Sequence, residues 1–430
     1  MKQTFKSFVV SVLTAEAAVL IRRKKPKIIA ITGSVGKTST KDAVYAAIKN
    51  HTYTRKNEKS FNSEIGVPLT VLGLPNGWNN PFAWIWNIID GFFTAFFSNK
   101  YPEILVLEAG IDRPGDMQKL VRWMKPDIVV LTRLPSVPVH VEYFNSPEAV
   151  IEEKLKLVSA LRTDGTLIYN ADDTIIESKL GDFLQKQIGF SRYLASDFTA
   201  GQDKIVYKDD QPTGVSFTVT HGDGTASIEV KDVAGAQHAY ASAAATAVAH
   251  ELGISLPDAA EGLSALTAPN GRLKLIPGIK GTMIVDDTYN ASPIATEHAL
   301  QTLRELQYAK RKVAVLGDMM ELGKFSSEEH RKIGLQVAEI ADVLLTVGVR
   351  SRAIAEGAMA AGMSEKNVFQ YDEVGRAGRE LQNMLETGDT VLIKASQSVR
   401  AERIVEEIMA DPDRALELLV RQDKVWKKIA

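Results

Sequence analysis

The sequence predicts an α/β protein built from mainly parallel sheets in two successive domains. Short apolar runs of strand length alternate with helical patterns over most of the 430 residues, which is typical of parallel strands joined by crossover helices. Proline and glycine punctuate the stretch LTAPNGRLKLI around Pro269, and the same rhythm then restarts. We therefore expect a boundary there, with a helical segment at residues 1–26, a first domain at 27–267 and a second at 268–430.

Residues 8–25, FVVSVLTAEAAVLIRRKK, predict an amphipathic helix that ends in a basic cluster. A secretory signal would carry its positive charge before the apolar run. Glu16 also interrupts a run that is already short for a membrane span. Two interpretations stand: the helix either packs against the first domain or rests on the anionic face of a membrane.

A glycine-rich turn follows the first predicted strand, KIIAIT, and opens a helix at Lys37. Backbone N–H groups in such a turn can surround an anion, and the helix dipole favours it. Lys37 can reach the terminal phosphates of a nucleotide, and the Thr38 hydroxyl can bind Mg²⁺. Ile31 stands where the strict phosphate-loop pattern has its first glycine, so the motif is only partly matched. The residues expected to bind nucleotide in this turn are Gly33, Ser34, Val35, Gly36, Lys37, Thr38 and Ser39.

The segment WNNPFAWIWNIIDGFFTAFF, residues 78–97, contains three of the five tryptophans and five of the fifteen phenylalanines. Asp90 and Gly91 interrupt it, which argues against a membrane-spanning helix. Its aromatic side chains either pack against the core or form an exposed surface that contacts a membrane or another apolar partner.

Two candidate site residues follow further predicted strands of the first domain. Glu108 ends EILVLE, so it is expected at the carboxyl edge of the sheet, where ligand sites of open α/β sheets lie. A strand-end acid without a function is the alternative. His140 follows the strand in PDIVVLTRL, and a structural histidine is the alternative there.

The remaining pattern completes both domains. GTLIYNADD predicts another strand, and residues 200–232 alternate between turn signals, which predicts an antiparallel excursion. Residues 239–254 predict a small-residue helix. After the boundary, strands are predicted in GTMIVDDTYN, KVAVLGD, ADVLLTVG and DTVLIKAS.

Composition excludes several kinds of protein and site. The net charge of −2 does not favour a general nucleic-acid binder. The absence of cysteine removes disulfides, thiolate metal sites and cysteine nucleophiles, and it is compatible with a reducing cytoplasm.

Taken together, these stretches resemble the Mur ligases, in the same order along roughly residues 27–410. They include ITGSVGKTSTKD, NEKSFNSEIGVPLTVL, LVLEAGIDRPGDM, YNADD, GRL, VDDTYNASP, VLGDMMELG and VLIKASQS. Of these, DDTYNASP and LGDMMELG are most similar to the member that adds D-alanyl-D-alanine to UDP-N-acetylmuramoyl-tripeptide. The resemblance implies a central P-loop ATPase domain and a C-terminal Rossmann-like α/β domain. It also implies that ATP phosphorylates a substrate carboxylate before an amine attacks the acyl phosphate.

The resemblance assigns roles in the first domain. Glu108 matches the family's metal-binding acid and His140 its second-metal histidine, so we expect ATP and two Mg²⁺ ions. Lys154 matches the position at which family members carry a carbamylated lysine, for which a solvated helix charge is the alternative. The expected metal ligands are Thr38, Glu108, His140 and Lys154. The expected catalytic residues are Lys37, Lys154, His140 and Arg272.

The resemblance also implies nucleotide and substrate contacts. The expected nucleotide contacts of the second domain are Arg272, Asp286, Asp287, Tyr289 and Asn290. For DDTYN, an Asx-rich turn without a site is the alternative. The expected substrate contacts are Asn57, Asn62, Glu64, His330, Lys394 and Ser396. Since groups from both domains would hold ATP, closure of the domains should assemble the site.

The chain departs from the family pattern at three places. Only about 26 residues precede the first strand, so we expect the family's uridine-recognition domain to be absent. Residues 8–25 and 78–97 would then form a different acceptor surface. Ala239 and Ser242 replace two asparagines of relatives, which puts the adenine contacts in doubt. The family's Lys-Gly-Ser reads Lys394-Ala395-Ser396.

The resemblance implies an ATP-dependent amide ligase of peptidoglycan precursor synthesis that releases ADP and phosphate. We expect small-molecule substrates, namely UDP-N-acetylmuramoyl-tripeptide or a related acceptor and D-alanyl-D-alanine, and no nucleic acid. We also expect a cytoplasmic monomer in peripheral contact with the inner face of the membrane through residues 8–25 and 78–97. Two alternatives remain: a ligase of the same superfamily with another carboxylate acceptor, and an inactive nucleotide-binding scaffold.

Overall fold

The fold comes from a computed structural model, which describes residues 3–58, 62, 64–307 and 309–427. Parts of the predicted stretch NEKSFNSEIGVPLTVL, residues 59–61 and 63, lie outside the described residues. The chain forms two compact units. The first consists of the residues up to Gly201 together with Thr218–Ile228 and Ala239–Leu266. The second consists of Gln202–Phe217, Glu229–His238 and the residues from Thr267 onward.

The first sheet has nine strands among the described residues. In chain order they are β1 (Lys27–Thr32), β2 (Thr54–Lys56), β3 (Ile104–Glu108), β4 (Ile128–Leu131), β5 (Thr166–Asn170), β6 (Lys186–Ser191), β7 (Phe198–Lys208), β8 (Gln211–His221) and β9 (Gly224–Lys231). Their order across the sheet is β2-β3-β1-β4-β5-β6-β7-β8-β9. Strands β1 to β6 pair in parallel. Connections of two residues, 209–210 and 222–223, join β7, β8 and β9, which requires antiparallel neighbours.

Nine described helices precede, connect or follow these strands. They are α1 (Gln3–Lys24), α2 (Lys37–Ile48), α3 (Gly66–Leu72), α4 (Pro81–Phe97), α5 (Asp116–Val121), α6 (Pro147–Ser159), α7 (Thr174–Glu177), α8 (Gln237–Glu251) and α9 (Leu256–Ser264). Local sequence signals explain where α4 and α6 begin. The side chains of Asn80 and Ser146 accept hydrogen bonds from backbone N–H groups of the first turn, and a proline follows each.

The register of β1, β3 and β4 positions the candidate site. Ile31 pairs with Glu108 on one side of β1, and Thr32 pairs with Leu131 on the other. All residues of β3 and β4 are buried, as expected for central strands of a sheet covered on both faces. The turn after β1, the acid that ends β3 and the first residues after β4 therefore meet at one edge of the sheet.

The second unit contains a six-stranded sheet among the described residues. Its strands are β10 (Lys274–Pro277), β11 (Met283–Asp287), β12 (Arg311–Gly317), β13 (Val343–Val347), β14 (Val368–Tyr371) and β15 (Asp389–Lys394), in the order β10-β11-β15-β12-β13-β14. Only the β10–β11 pair is antiparallel within these described strands. Its helices are α10 (Pro293–Glu305), α11 (Ser326–Val337), α12 (Arg352–Ala360), α13 (Val374–Met384), α14 (Glu402–Ile408), α15 (Ala415–Leu418) and α16 (Lys424–Lys427). The predicted α/β class with mainly parallel sheets is confirmed.

Helices α1 and α4 pack against each other in the first unit. α1 buries Leu13, Ala17 and Leu20 at helical spacing, and Glu16 lies on the same buried side. Gly91 allows the two helices to approach closely, because a Cβ atom at that position would lie 2.2 Å from Glu16 Oε2. No described helix has the length and apolarity that a membrane span requires.

Glu16 is an unfavourable carboxylate in this helix pair. Its side chain is buried, and its Oε2 has no hydrogen-bond partner among the described residues. Burial raises the pKa of Glu16 to about 7. Because the folded state holds this proton more tightly than the unfolded state, the free energy of unfolding of the protein falls as pH rises from the unfolded pKa to the folded pKa.

We expect Glu16→Gln to stabilise the protein, because glutamine removes the buried charge. The gain should be small near pH 4.5, where the wild-type carboxyl is still protonated in the fold, and largest above pH 7, on the order of 1–2 kcal/mol. Urea unfolding at both pH values measures it. Glu261→Gln, at an exposed position of α9, is the control and should show no such pH-dependent difference. An equal gain of the Glu16 variant at both pH values would contradict the assignment.

Candidate nucleotide and metal site

The turn between β1 and α2 has the backbone geometry of an anion-binding loop. Gly33 and Gly36 have φ values of 138° and 87°, which glycine adopts without steric cost. Gly36 is the residue before the first turn of α2, so the loop leads directly into a helix N-terminus. Ser34 N donates to the carbonyl of Arg133 at 2.7 Å, which fastens the loop to the end of β4.

Gly33 also satisfies a packing requirement. A Cβ atom there would lie 2.1 Å from Thr132 Oγ1 and 3.0 Å from Arg133 N. Thr132 Oγ1 in turn donates to the carbonyl of Val35 at 2.7 Å. The loop is therefore held against the end of β4 by a contact that leaves no room for a side chain. Sequence reasoning missed Thr132, although its place directly after a buried strand was a usable signal.

Two lysines converge on one carbonyl of the loop. Lys37 Nζ donates to Gly33 O at 2.9 Å, and Lys154 Nζ, from α6, donates to the same oxygen at 3.2 Å. Lys154 is buried, with 1% of its surface exposed. Burial and then the nearby charge of Lys37 lower the pKa of Lys154 well below its ordinary value, against the opposing effect of Asp112. Burial thus favours the neutral form of the Lys154 amine beside Lys37 at the glycine-rich loop.

Glu108 forms the acidic centre of the same edge. Its Oε2 accepts from Thr38 Oγ1 at 3.0 Å, and its Oε1 accepts from Asn62 Nδ2 at 2.9 Å. The backbone N of Glu108 donates to Asn57 Oδ1 at 2.6 Å. The structure therefore brings together Thr38, Glu108, Asn57 and Asn62, which come from three separate stretches of the sequence. Glu64 lies farther out, with Nζ of Lys6 at 3.1 Å and Nζ of Lys119 at 3.7 Å.

His140 lies near a second acid. It has a positive φ of 71°, and its Nε2 is 3.8 Å from Asp112 Oδ1. Because Asp112 also acts electrostatically on Lys154, the three side chains share one neighbourhood. Asp112 was not among the residues predicted from the sequence. It belongs to the quoted stretch LVLEAGIDRPGDM, where it follows β3 by four residues.

These groups fit a nucleotide triphosphate that arrives with Mg²⁺. Mg²⁺ usually takes one or two protein oxygens and completes its shell with phosphates and water, and the Thr38 hydroxyl with the Glu108 carboxylate supplies such a pair. Ser34 Oγ in the loop is buried and has no hydrogen-bond partner among the described residues, so it is available to a ligand. Within the described chain, no group of three histidine, aspartate or glutamate side chains could hold a metal alone.

Tyr240 and Asp172 form a further, half-buried contact that sequence reasoning missed. Tyr240 Oη donates to Asp172 Oδ2 at 2.8 Å, and the backbone N–H groups of Arg192 and Leu194 donate to the same carboxylate at 2.6 and 2.9 Å. Asp172 belongs to the quoted YNADD, which was a usable signal. The neighbouring Ser242, which replaces an asparagine of relatives, is buried, and its Oγ has no partner among the described residues.

In the second unit, an acidic and a basic side chain pair at the end of β11. Asp287 Oδ2 lies 2.6 Å from Lys394 Nζ, which also donates to the carbonyl of Asn290 at 2.9 Å. The parallel register of β11 and β15 places Asp287 opposite Lys394. Asp286, fully buried, accepts at Oδ1 from the hydroxyl of Thr288 at 2.6 Å. Burial raises the pKa of Asp286 to about 6.

Arg272 and Tyr289 lie together in the same unit. The guanidinium carbon of Arg272 is 4.1 Å from the centre of the Tyr289 ring, a distance typical of a cation–π contact. Tyr289 N donates to Gly271 O at 3.1 Å. The predicted group of Arg272, Asp286, Asp287, Tyr289 and Asn290 is therefore gathered around the end of one strand.

His330 and Ser396 hold the loop that follows β12. His330 is completely buried, and its Nε2 accepts from Met319 N at 2.9 Å while its Nδ1 lies 2.7 Å from Ser326 O. Ser396 Oγ accepts from Met320 N at 2.9 Å. Burial lowers the pKa of His330, which keeps the ring neutral. In this conformation His330 positions the loop, and direct contact with a substrate stays a prediction.

Two family models match the chain. The Mur ligase middle domain covers residues 87–249, and the Mur ligase glutamate ligase domain covers residues 271–397. A UDP-N-acetylmuramoyl-tripeptide--D-alanyl-D-alanine ligase of Bacillus subtilis (strain 168) is 30% identical over 390 residues, which are 90% of this chain and 76% of the relative. The chain belongs to the Mur ligase family. The resemblance inferred from the sequence motifs is thereby confirmed.

Other Mur ligases agree with this assignment. The enzyme of the same name from Escherichia coli (strain K12) is 30% identical over 398 residues, 91% of this chain and 78% of the relative. A MurF ligase from Thermotoga maritima, solved in complex with ADP, has a TM-score of 0.74 at 23% identity. The superposition covers 95% of this chain and 84% of that one, which shows a shared fold.

We expect Gly33→Ala to damage the phosphate loop of this Mur ligase. A methyl group would collide with Thr132 and would require a backbone conformation that alanine rarely adopts, which costs about 1–3 kcal/mol. ATP affinity, measured by isothermal titration calorimetry, should fall roughly tenfold or more, since the loop amides lose their arrangement. Gly181→Ala, where an added Cβ meets nothing within 4 Å, is the control and should bind ATP normally. Unchanged affinity in the Gly33 variant would contradict this loop geometry.

Proposed function

We propose that this Mur ligase is an ATP-dependent amide ligase of peptidoglycan precursor synthesis, adding D-alanyl-D-alanine to UDP-N-acetylmuramoyl-tripeptide or a related acceptor. The observation that carries the proposal is the edge where Lys37 and the Thr38–Glu108 pair adjoin one glycine-rich loop. The names of the two bacterial relatives support the choice of substrates.

The proposed chemistry explains why cations converge here. A carboxylate is a poor acyl donor because its oxygen leaves poorly, and transfer of a phosphoryl group from ATP improves the leaving group. That transfer brings an anionic carboxylate to an anionic triphosphate, so positive charge must be supplied. Lys37 would bind the terminal phosphates, and Thr38 with Glu108 would hold one Mg²⁺. The amine of D-alanyl-D-alanine then attacks the acyl phosphate, and ADP and phosphate leave.

A second Mg²⁺ belongs to the proposal, held by His140 and by a carbamate on Lys154. The buried Lys154 amine, whose pKa is lowered well below its ordinary value by burial, supports this, because only an uncharged amine adds CO₂ and because an anion beside Lys37 would replace like-charge repulsion with attraction. The catalytic set of the proposal is Lys37, Lys154, His140 and Arg272.

The second unit contains the remaining residues of the proposal. We assign ATP contacts to Arg272, Asp286, Asp287, Tyr289 and Asn290, and their grouping at the end of β11 supports that role. The acceptor contacts in the proposal are Asn57, Asn62 and Glu64. The contacts with the peptide or the incoming amine are His330, Lys394 and Ser396.

We further propose that the chain acts as a cytoplasmic monomer, without a nucleic-acid partner, in peripheral contact with the inner face of the membrane. The use of ATP and the absence of cysteine support a cytoplasmic location. Exposed aromatic side chains within residues 78–97 support the contact.

Phosphate release tests the ligase reaction. In the presence of Mg²⁺, the wild-type chain should release phosphate from ATP only when UDP-N-acetylmuramoyl-tripeptide and D-alanyl-D-alanine are both present. Lys37→Ala should lower turnover roughly 100-fold or more, since it removes charge stabilisation at the transferred group. Lys49→Ala, at the exposed far end of α2, should turn over normally. ATP binding without turnover under any of these conditions would favour the inactive scaffold.

Carbamylation of Lys154 has a direct test. Incubation with ¹³C-labelled bicarbonate should give a carbamate carbon signal in the NMR spectrum of the wild-type chain, and Lys154→Ala should lack it. The lowered pKa of Lys154 predicts that the amine is available below its ordinary titration range, so the signal should persist at neutral pH. Lys156→Ala, on the same helix but half-exposed, should keep the signal. If the wild-type chain shows no carbamate signal, the proposed second metal site lacks its bridging anion and that part of the proposal is wrong.

A further inference from the structure

Helix α4 has its apolar face turned outward. Its buried residues are Trp84, Asn87, Gly91 and Ala95, a set that is mostly small or polar. Its exposed apolar residues are Phe82 (72%), Ile85 (47%), Trp86 (62%), Ile89 (38%), Phe92 (46%), Phe93 (56%), Phe96 (43%) and Phe97 (64%). A surface helix of a globular domain normally buries its large apolar side chains. The reversed pattern therefore indicates a partner for the outer face.

The exposed residues form one continuous stripe. Their spacing of three and four residues places them on a single face along all 17 residues of α4, a length of about 26 Å. Asp90 is the one acid in the sequence of α4, and it projects about 100° away from the centre of the stripe at 3.6 residues per turn. The stripe is thus uninterrupted by charge.

Basic residues of α1 lie at the C-terminal end of this stripe. The guanidinium of Arg23 donates to the carbonyl of Ala95, and Lys24 Nζ donates to the carbonyl of Asn99 at 3.1 Å. These contacts hold the end of α1 against the end of α4. Arg22, Lys25 and Lys27 lie within three residues of Arg23 or Lys24 in the sequence, Lys100 follows Asn99, and all four are exposed, as is Arg23. The contacts of Arg23 and Lys24 therefore bring cationic side chains to the end of α4 that carries the aromatic cluster of Phe92, Phe93, Phe96 and Phe97, whose ring centroids lie 4.8–6.2 Å apart.

We propose that α4 lies in the interface of an anionic bilayer. The stripe from Phe82 to Phe97 enters the acyl boundary, and the cluster of Arg22, Arg23, Lys25, Lys27 and Lys100 binds anionic headgroups. An anionic bilayer matches both the aromatic stripe and the basic cluster. Aromatic side chains favour the interfacial region of a bilayer, and cationic side chains favour anionic lipids. The inference rests on the proposed peripheral contact with a membrane and is independent of the ligase reaction.

Vesicle flotation of the full chain tests this assignment. The probes are vesicles of phosphatidylcholine alone and vesicles of phosphatidylcholine mixed equally with phosphatidylglycerol. The wild-type chain should float with the mixed vesicles, bind neutral ones at least tenfold more weakly, and dissociate from the mixed vesicles as salt rises. Equal binding to both kinds of vesicle would overturn the headgroup assignment. No flotation with either would overturn the membrane contact itself.

Two variants test the two halves of the face. Phe93→Ser with Phe97→Ser should weaken partitioning into mixed vesicles at least tenfold. Arg22→Gln with Lys25→Gln should weaken it about fivefold for each removed cation. Leu184→Ser, at a side chain that is 98% exposed elsewhere on the first unit, is the control and should float like the wild-type chain. All these positions are exposed, and an unchanged melting temperature confirms folding.

A folded phenylalanine variant that floats like the wild-type chain would overturn the assignment of α4. Sedimentation of the vesicle-free chain distinguishes the other occupant of this face. The decisive result would be a wild-type chain that dimerises, a phenylalanine variant that stays monomeric, and no flotation of either. In that case a second copy covers α4, and the proposal is wrong. Phosphate release by the wild-type chain with soluble substrates and without vesicles measures the ligase reaction separately, so a failure of lipid binding is distinguishable from a failure of the ligase proposal.

Discussion

The candidate site depends on the way in which three neighbouring parallel strands end at one level. β1 runs into the glycine-rich loop, β3 ends in Glu108, and β4 is followed by Thr132. The contact of Gly33 with Thr132 fixes the loop against β4, while the hydrogen bond from Thr38 to Glu108 fixes the start of α2 against β3. Hydrogen bonds of the sheet set this register, so the positions of the polar groups are inherited from a rigid core.

Two lysine side chains lie close together at this edge of the sheet. Lys37 and Lys154 share the carbonyl of Gly33 as an acceptor, and two full positive charges so close together would repel strongly in a site with little water. The fold resolves the conflict by burying Lys154, which favours its neutral form. The second unit uses a different solution, because Lys394 is buried together with Asp287 as an ion pair. Lys154 and Lys394 are therefore accommodated in two different ways, the first by a lowered pKa and the second by an ion pair.

Sequence reasoning predicted much of the fold because the strands are buried runs with clear punctuation. The loop, Lys37, Thr38 and Glu108 were also predictable, since strand ends and glycine-rich turns are local signals. Asp112, Thr132 and the Asp172–Tyr240 contact were missed, because each acquires its place only through long-range packing. His330 shows a further limit. The family resemblance implies a substrate contact for it, and only the structure shows that its ring is buried with both nitrogens against the backbone.

The aromatic segment shows most clearly what composition leaves undecided. Residues 78–97 were compatible with either core packing or an exposed contact surface, because periodicity gives the stripe but not the side on which the core lies. Gly91 and Glu16 decide between them. A helix can approach α1 closely only through its small residues, so Gly91 and Ala95 must face inward, and the phenylalanines on the opposite side must then face outward. The same close approach buries the carboxylate of Glu16, so the outward stripe and the unfavourable charge have one cause.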